Sequence, residues 1–150
     1  MNKIYLALIF IFLYSCGYTP IYSSKESNYE IIGFKKNVNN NLTNYVENSI
    51  RVLSNEKSEK RFNINFEFKD DIEVILKDSK GDPKKNRITI SIEIFILNEN
   101  GNLIITRKFI ENFEYNISDN KFDLRQYEKN IKQNLVEDIT QQILVFLASV

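Results

Sequence analysis

The chain has 150 residues, which is enough for one domain with a single hydrophobic core. Its 20 basic and 20 acidic side chains cancel at neutral pH, which argues against a nucleic-acid-binding protein, because such proteins need a basic excess. It contains no histidine and one cysteine, which excludes Ser-His and Cys-His catalysis and an intramolecular disulfide.

Residues 1–15 have the pattern of a signal peptide for export. Lys3 supplies a positive charge, and residues 4–14 form an apolar run without charge. A helix that crosses a bilayer needs about 20 apolar residues, so this run is too short for a spanning anchor. We therefore expect a cleaved signal peptide, with a weak membrane anchor as the alternative.

The single cysteine, Cys16, lies directly behind this run in a context that resembles a bacterial lipobox. Leu13 stands three positions before it and Ser15 directly before it, whereas Tyr14 departs from the pattern, which prefers a small residue there. The lipidating enzyme needs a thiol as the acceptor of a diacylglyceryl group. Two or three acyl chains anchor a protein stably, because each buried CH₂ contributes about 0.8 kcal/mol. We predict lipid attachment at Cys16; the alternative is an ordinary signal peptide with an incidental cysteine.

Residues 16–27 are predicted to be a lipidated tether. Pro20 and several serines favour an extended segment. Tyr18, Ile21 and Tyr22 are large and apolar for a linker, so we expect them to dock on the domain or on a partner. In lipoproteins an aspartate close behind the cysteine favours retention in the inner membrane. None stands there, so we predict the outer membrane, with the domain on its periplasmic side.

Residues 28–150 are predicted to form a single α+β domain that begins with a strand and a helix. The run at residues 29–34 is rich in β-forming side chains. The next apolar side chains recur at a helical spacing of i, i+3, i+4, i+8 and i+11. They are Leu42, Tyr45, Val46, Ile50 and Leu53. An asparagine within residues 39–41 can cap this helix, because its side chain accepts orphan amide protons.

Three segments with apolar residues at every second position predict three strands. The first segment carries Phe62, Ile64, Phe66 and Phe68. The second carries Ile88, Ile90, Ile92, Ile94 and Ile96. The third carries Leu103, Ile105, Phe109, Phe113 and Tyr115. The links are short, with Gly81 and Pro83 at the centre of one and Gly101 in the other, so we expect an antiparallel meander.

A long amphipathic helix is predicted from residue 123 to residue 149. Its apolar stripe comprises Leu124, Tyr127, Ile131, Leu135, Ile139, Ile143, Phe146 or Leu147, and Val150. The predicted order is therefore β-α-β-β-β-α. Two amphipathic helices can cover one face of a four-stranded sheet, and the helix between the first two strands predicts one parallel pairing. We expect a two-layer sandwich with a four-stranded mixed sheet covered on one face by two helices.

The sequence offers little for catalysis, so we predict that the protein is not an enzyme. It contains no dinucleotide-binding, Walker or G-x-S-x-G motif and lacks the usual zinc ligands, and no cofactor or metal is expected. Asp70, Asp71 and Glu73 form the closest acidic group, which could serve a glycosidase. Beside Lys69 and Lys77 they more simply predict a solvated strand bend.

A basic cluster is predicted at the tip of the first hairpin of the meander. It consists of Lys80, Lys84, Lys85 and Arg87. Lys35 and Lys36 form a second basic pair at the end of the first strand. A cationic tip could bind the phosphates of an anionic glycolipid by charge-assisted hydrogen bonds. The alternative is a solvated turn whose lysines prevent edge pairing.

The chain resembles the LPS-assembly lipoprotein family (LptE) of Gram-negative bacteria, in its short form. The resemblance rests on "CGYTPIY" at residues 16–22, on the predicted order of elements, and on the C-terminal part. There "FEYN" closes the last strand and is followed by the stretch of residues 121–150, which contains the predicted long helix. The opening motif follows the family's Cys-Gly-aromatic-x-Pro-Leu/Ile-Tyr pattern. The resemblance extends over essentially the whole chain.

This resemblance implies a non-enzymatic partner of an outer-membrane β-barrel. Such lipoproteins sit as a plug inside the LPS translocon protein LptD, help the barrel to assemble, and help to insert lipopolysaccharide into the outer leaflet. The family is also credited with binding lipopolysaccharide. The alternative class is a periplasm-facing lipoprotein that binds a small ligand or serves as an auxiliary subunit of an ABC-type transporter.

A plug in a wet barrel lumen needs polar side chains on its outer surface. The predicted solvent face of the sheet offers hydrogen-bonding groups instead of an apolar patch. They are Asn63, Asn65, Glu67, Thr89, Ser91 and Glu93. None of them matches a family motif, so the resemblance assigns them no role.

Overall fold

The structure is a computed structural model that describes residues 29–150. The predicted signal peptide, the lipid site at Cys16 and the tether at residues 16–27 lie outside the described residues. In chain order the elements are strand β1 (Tyr29–Lys36), helix α1 (Asn41–Arg51), strands β2 (Lys60–Lys77), β3 (Pro83–Asn98) and β4 (Leu103–Asn116), and helix α2 (Lys121–Leu147). This sequence of elements confirms the predicted order β-α-β-β-β-α.

The four strands form one mixed sheet in the order β1-β2-β3-β4. β1 and β2 run parallel, as the helix between them predicts, whereas β2, β3 and β4 pair antiparallel. Both helices pack on one face of this sheet, and the opposite face has no covering element among residues 29–150. The predicted α+β sandwich is therefore confirmed.

The two hairpin turns of the meander have the same conformation and the same side-chain hydrogen bond. Gly81 and Gly101 adopt φ angles of 89° and 81°, a conformation that glycine accepts without steric cost. Three residues earlier, the side chains of Asp78 and Asn98 each accept the backbone N–H four residues ahead, at 3.0 and 2.9 Å. Pro83 begins β3, so its predicted place at the centre of the turn is wrong.

The core lies between the sheet and the helices, and β3 supplies its centre. Its five alternating isoleucines are at most 1% exposed. They are Ile88, Ile90, Ile92, Ile94 and Ile96. On β2, Ile64, Phe66 and Phe68 stand opposite them in register and are also buried. Full burial of such a side chain contributes about 1.5–3 kcal/mol, so this predicted alternation sets which face becomes the core.

Helix α1 begins at a capping box. The side chain of Asn40 accepts the backbone N–H of Thr43, and the Thr43 hydroxyl accepts the backbone N–H of Asn40. The predicted asparagine cap is thereby confirmed. Val46 and Ile50 of the predicted stripe are fully buried, whereas Tyr45 is 40% exposed. Tyr45 faces the space between the two helices instead of the sheet.

Helix α2 lies across the sheet and begins two residues earlier than predicted. The side chain of its N-cap, Asn120, accepts the backbone N–H groups of Phe122 and Asp123. Its buried side chains confirm the middle of the predicted stripe. They are Ile131, Leu135, Val136, Ile139, Thr140, Ile143 and Leu147. Of the outer members, Leu124 is partly buried against the core, whereas Tyr127 and Val150 are exposed, so the prediction is wrong for these two.

Strand β2 continues past the core without the bend predicted at Asp70 and Asp71. Its pairing with β3 extends to Lys77. At this end Ile72, Val74 and Leu76 are 40%, 45% and 56% exposed, although the same strand is buried further back. The last residues of β2 therefore project beyond the cover of the helices, and the charged side chains there remain in water.

The link from β1 to α1 is fixed to the sheet by Asn37. Its side-chain amide donates to the carbonyl of Phe68 at 3.0 Å, and its side-chain oxygen accepts the Phe68 N–H at 2.8 Å. These two bonds continue the parallel β1–β2 ladder one step beyond Lys36. The Asn37 side chain thus makes the two hydrogen bonds that the backbone of a neighbouring strand would make, and it fixes the position of the link that leads into α1.

Candidate functional site

The predicted basic cluster lies mainly in a strand and not at a hairpin tip. Lys80 is in the turn, but Lys84, Lys85 and Arg87 belong to β3, which begins at Pro83. Lys85 and Arg87 are separated by two positions, so they share one face of β3. Both pair in register with β4, whose neighbouring side chains therefore determine how much of their charge remains available.

Lys85 is bound to a carboxylate on β4, and Arg87 is bound to carboxylates on both adjacent strands. Glu114 of β4 lies 2.6 Å from Lys85 Nζ and 2.7 Å from an Arg87 nitrogen. Glu73 of β2 lies 2.9 Å from the other Arg87 nitrogen. Hydrogen bonds from Lys85 and Arg87 lower the pKa of Glu114 below its ordinary value. Two cations and two carboxylates therefore form a compensated network across three strands.

The remaining predicted basic residues differ in how far they are paired. Lys84 Nζ lies 3.4 Å from the carboxylate of Asp78. Lys36 lies 2.9 Å from Glu47 of α1. Lys80, in the turn itself, makes no ion pair with any residue that the structure describes. Of the four cluster residues, Lys80 therefore presents the least compensated charge.

The acidic group of β2 does not converge on a common point. Successive side chains of a strand point to opposite faces, so Asp70 and Asp71 diverge. Asp70 lies 2.5 Å from Lys132 of α2, on the helix side. Glu73 pairs with Arg87 on the open side. Within residues 29–150, no group of three or more His, Cys, Asp or Glu side chains is arranged to hold a metal ion.

The open face of the sheet carries the polar side chains that the alternation predicts. In the register of β2, β3 and β4 they form rows that include Glu67–Glu93–Lys108 and Lys69–Ser91–Ile110. Apolar exceptions are present, because Ile110 and Ile104 of β4 are exposed. This face therefore offers mainly hydrogen-bonding and charged groups to a partner, with apolar side chains on the edge strand β4 and at Phe95 of β3, in the row Asn65–Phe95–Thr106.

An open groove of about 620 Å³ lies between the two helices on the opposite side of the molecule. Helix α1 lines it with Asn41, Leu42 and Tyr45. Helix α2 lines it with Arg125, Glu128, Lys129, Lys132, Gln133 and Val136. This space, called the interhelical groove below, combines an apolar floor with a largely basic wall.

The charges of the interhelical groove are only partly compensated. Lys132 is bound to Asp70 at 2.5 Å. Glu128 accepts a hydrogen bond from the hydroxyl of Tyr115, which draws its carboxylate toward β4. Arg125 and Lys129 make no ion pair among the residues described. The groove thus carries two cations that have no carboxylate partner from residues 29–150.

The sequence interpretation missed this groove, although a signal for it exists. Lys121, Arg125, Lys129 and Lys132 recur at i, i+4, i+8 and i+11, which places four basic side chains along one side of α2. The α1 part of the groove gave no such signal, because Leu42 and Tyr45 fit the apolar stripe that predicts burial.

Neither described helix is both long and apolar enough to cross a membrane.

Several solved structures of bacterial lipoproteins resemble this structure. The minor lipoprotein of Acinetobacter baumannii has a TM-score of 0.64 at 12% identity, over 82% of this chain and 92% of that chain. An uncharacterized lipoprotein B of Nitrosomonas europaea has a TM-score of 0.60 at 13% identity, over 81% and 85%. The chain has the fold of these bacterial lipoproteins.

Rare lipoprotein B of Shewanella oneidensis is a further similar structure. It has a TM-score of 0.56 at 9% identity, over 78% of this chain and 95% of that chain. No protein-family model and no curated protein matches the chain. At these identities the likeness concerns the arrangement of helices and strands, and residue roles have to be argued from the chain itself.

Proposed function

We propose that the protein is an outer-membrane lipoprotein, anchored through Cys16, that plugs an LptD-like β-barrel and helps insert lipopolysaccharide into the outer leaflet. The observation that carries this proposal is the fold shared with bacterial lipoproteins over most of their length. One of them is rare lipoprotein B of Shewanella oneidensis. The "CGYTPIY" motif, with Cys16 in a lipobox-like context, supplies the resemblance to the LPS-assembly lipoprotein family.

The shape and polarity of the described domain support a role as a plug. One face of the sheet builds the core with the helices, and the other presents Glu67, Ser91, Glu93 and Lys108 without cover from residues 29–150. Groups of this kind can form hydrogen bonds with a polar wall or with bridging water. A wet barrel lumen offers such a wall, because the interior of an outer-membrane barrel is polar.

The second candidate is a periplasm-facing lipoprotein that binds a small ligand. The interhelical groove favours it, because about 620 Å³ falls within the range of about 300–1,000 Å³ that is usual for ligand pockets. The two candidates are compatible in one molecule, since the groove and the open sheet face lie on opposite sides.

Depletion in the native host tests the proposed function. We expect surface lipopolysaccharide and the amount of folded translocon barrel both to fall, and both to recover with the full chain. A Cys16→Ala variant should restore them poorly, because it lacks the acyl acceptor. If lipopolysaccharide still reaches the surface and the barrel still folds normally after depletion, the proposed function is wrong.

A further inference from the structure

We propose that the edge of β2 that faces away from β3, from Asp70 to Val74, binds an extended segment of another polypeptide as an added strand. This part of β2 is called the β2 edge below. The segment places apolar side chains toward the helices and a basic side chain beside Asp71. This inference goes beyond the proposed function, because it assigns the binding of a peptide backbone to an edge of the sheet, whereas the proposed function uses the open face.

The β2 edge carries backbone groups that pair with no other strand of the described chain. β1 pairs with β2 only as far as Phe66, and the side chain of Asn37 then binds the N–H and the carbonyl of Phe68, at 2.8 and 3.0 Å. In a strand the N–H and the carbonyl of one residue point to the same edge, and those of the next residue point to the other edge. Every second residue after Phe68 therefore presents both groups to the outer edge. These residues are Asp70, Ile72 and Val74.

The β2 edge lacks the features that usually prevent strand pairing. Edge strands are commonly protected by lysines, prolines or bulges. The stretch from Asp70 to Val74 contains no lysine or proline, and the first bulge in its pairing with β3 follows Val74. The edge strand β4, on the other side of the sheet, carries Arg107 and Lys108 near its centre. The β2 edge is therefore the more accessible template for an added strand.

The helix side of the β2 edge suits apolar side chains. Ile72 stands opposite the buried Ile88 and so points to the helix side, and it is 40% exposed. Val74, two residues further, is 45% exposed. Lys132 is bound to Asp70 at 2.5 Å and also lines the interhelical groove, so the groove borders this edge. Apolar side chains of an added strand cover the exposed area of Ile72 and Val74, and the removal of that area from water stabilises the complex.

The open side of the β2 edge favours a basic side chain. Asp71 stands opposite Thr89 of β3 and makes no ion pair with any residue that the structure describes. Glu73, the next residue on this side, is bound to Arg87 at 2.9 Å. A lysine or arginine of the added strand beside Asp71 forms a cross-strand pair of opposite charge, which stabilises strand pairing.

The same charges disfavour a second copy of the chain as the occupant. Two β2 edges that pair antiparallel around their centre bring Asp71 and Glu73 of one copy opposite the acidic side chains of the other. Like charges directly opposite each other destabilise the pairing of strands. The β2 edge therefore fits a basic strand from another protein better than it fits itself.

The predicted tether is too short to occupy the β2 edge. Tyr29 pairs with Lys60, so Ile72 lies twelve residues further along β2, which is about 40 Å. With cleavage before Cys16, as proposed above, the segment before Tyr29 spans at most about 45 Å when fully extended. Only its first residues can reach Ile72, and the acyl chains on Cys16 hold those at the membrane. The occupant is therefore a separate polypeptide.

Peptide titration of the full chain in a neutral detergent tests the charge preference. The probe is a short acetylated and amidated peptide of alternating valine and lysine, and the comparison peptide has glutamate in place of each lysine. We expect saturable one-to-one binding of the lysine peptide, about tenfold or more tighter than that of the glutamate peptide, because only the first places a cation beside Asp71. The chain has no net charge, so overall attraction favours neither peptide. Equal binding of the two peptides overturns the proposal.

Methylation of the peptide backbone tests the strand pairing itself. One version of the lysine peptide is methylated on its valine nitrogens and a second version on its lysine nitrogens. Because the N–H groups of alternate residues point to opposite edges, each version loses the hydrogen bonds of one edge only. One version should bind about tenfold or more weakly than the other, and which one it is shows whether the added strand runs parallel or antiparallel to β2. Equal affinity of the two versions is incompatible with an added strand.

Substitutions in the chain locate the binding. Ile72→Lys/Val74→Lys places two cations on the β2 edge and should weaken binding of the lysine peptide about tenfold or more. Both side chains are exposed, so far-UV circular dichroism should remain unchanged. The matched control Ile104→Lys/Ile110→Lys makes the same change on β4 and should bind normally. An equal loss in both variants indicates unspecific charge repulsion and refutes the assignment to the β2 edge.

The oligomeric state of the full chain without peptide tests the alternative occupant. We expect sedimentation velocity to give a monomer in detergent at every concentration. A dimer that Ile72→Lys/Val74→Lys converts to a monomer means that a second copy occupies the β2 edge, and the proposal is then wrong. These measurements use the isolated chain and leave the proposed function untouched, so the two proposals fail separately.

Discussion

The hydroxyl of Tyr115 on β4 donates a hydrogen bond of 2.5 Å to Oε1 of Glu128 on α2. Asn86 on β3 donates to the same hydroxyl at 3.2 Å. Burial, and then the bond to Glu128, raise the pKa of Tyr115 to about 12. This contact joins the sheet to α2 beside the interhelical groove. It occupies Oε1 of Glu128, which is the acidic side chain that lines the groove.

Replacement of Tyr115 by phenylalanine should destabilise the fold by about 1.5–3 kcal/mol, because a hydrogen bond to a charged group is lost. The folded pKa of about 12 exceeds the ordinary value of 10.0, so this contribution is complete below pH 10 and disappears as the pH rises through 12. Urea unfolding at pH 8 and above pH 10 measures both effects. The control Tyr127→Phe removes an exposed hydroxyl and should change little. Equal stability of Tyr115→Phe and the original protein at pH 8 contradicts this account.

Removal of the Asn37 side chain should loosen the joint between β1 and α1. Asn37→Ala loses both bonds to the backbone of Phe68 and leaves that N–H and carbonyl without their partner, at a cost of about 1–3 kcal/mol. Asn39→Ala is the matched control, because it changes an exposed asparagine in the same link. Chemical unfolding compares the two variants, and equal midpoints count against a structural role for Asn37.

Acid should weaken the contact between β1 and α1. Hydrogen bonds from Lys36, and then from Arg51, lower the pKa of Glu47 below its ordinary value of 4.5, although burial opposes them. A depressed pKa stabilises the fold above the unfolded value, and this contribution is lost as the pH falls through the folded value. Glu47→Gln should therefore melt at a lower temperature at pH 7, and the difference should shrink below pH 4.5.

Thermal melts of this variant between pH 7 and pH 3 measure the effect. Glu56→Gln, in the exposed loop before β2, supplies the control and should follow the original protein throughout. A constant difference between Glu47→Gln and the original protein at all pH values refutes the linkage.

Charge reversal in β3 tests the predicted lipopolysaccharide contact. Substitution of Lys84, Lys85 and Arg87 by glutamate should weaken lipopolysaccharide binding, because it places negative charge where phosphates were expected. It also leaves Glu73 and Glu114 without cations, so the fold must be checked by circular dichroism. A folded variant that titrates with unchanged affinity disposes of this contact. The single variant Lys80→Glu measures how much the affinity depends on Lys80, which makes no ion pair in the described part of the chain.

Local patterns determine much of this fold, and for that reason the sequence predicted it. Isoleucines stand at every second position of β3 from Ile88 to Ile96, and a strand is the local structure that buries all of them on one face. Asn40 lies directly before an amphipathic run, which is enough to predict a helix start. The parallel pairing follows from the helix that separates β1 from β2.

The features that the sequence did not predict correctly depend on contacts between elements, which no single segment encodes. Asp70 and Asp71 disfavour a strand locally, yet β2 continues through them because β3 supplies hydrogen-bonding partners to its end. Tyr45 belongs to the apolar stripe of α1, but its exposure depends on where α2 lies. The interhelical groove depends on the spacing of two helices, so the sequence indicates only its basic wall, through the regular spacing of basic residues along α2.

The composition of the native complex is the most direct test of the central claim, that this is a lipoprotein subunit of an outer-membrane translocon. The lipidated full chain is purified by affinity from outer membranes in mild detergent, and its partners are identified by mass spectrometry. The account predicts one large LptD-like β-barrel in a fixed ratio to the chain. Recovery of the lipidated chain from outer membranes without any β-barrel partner contradicts it.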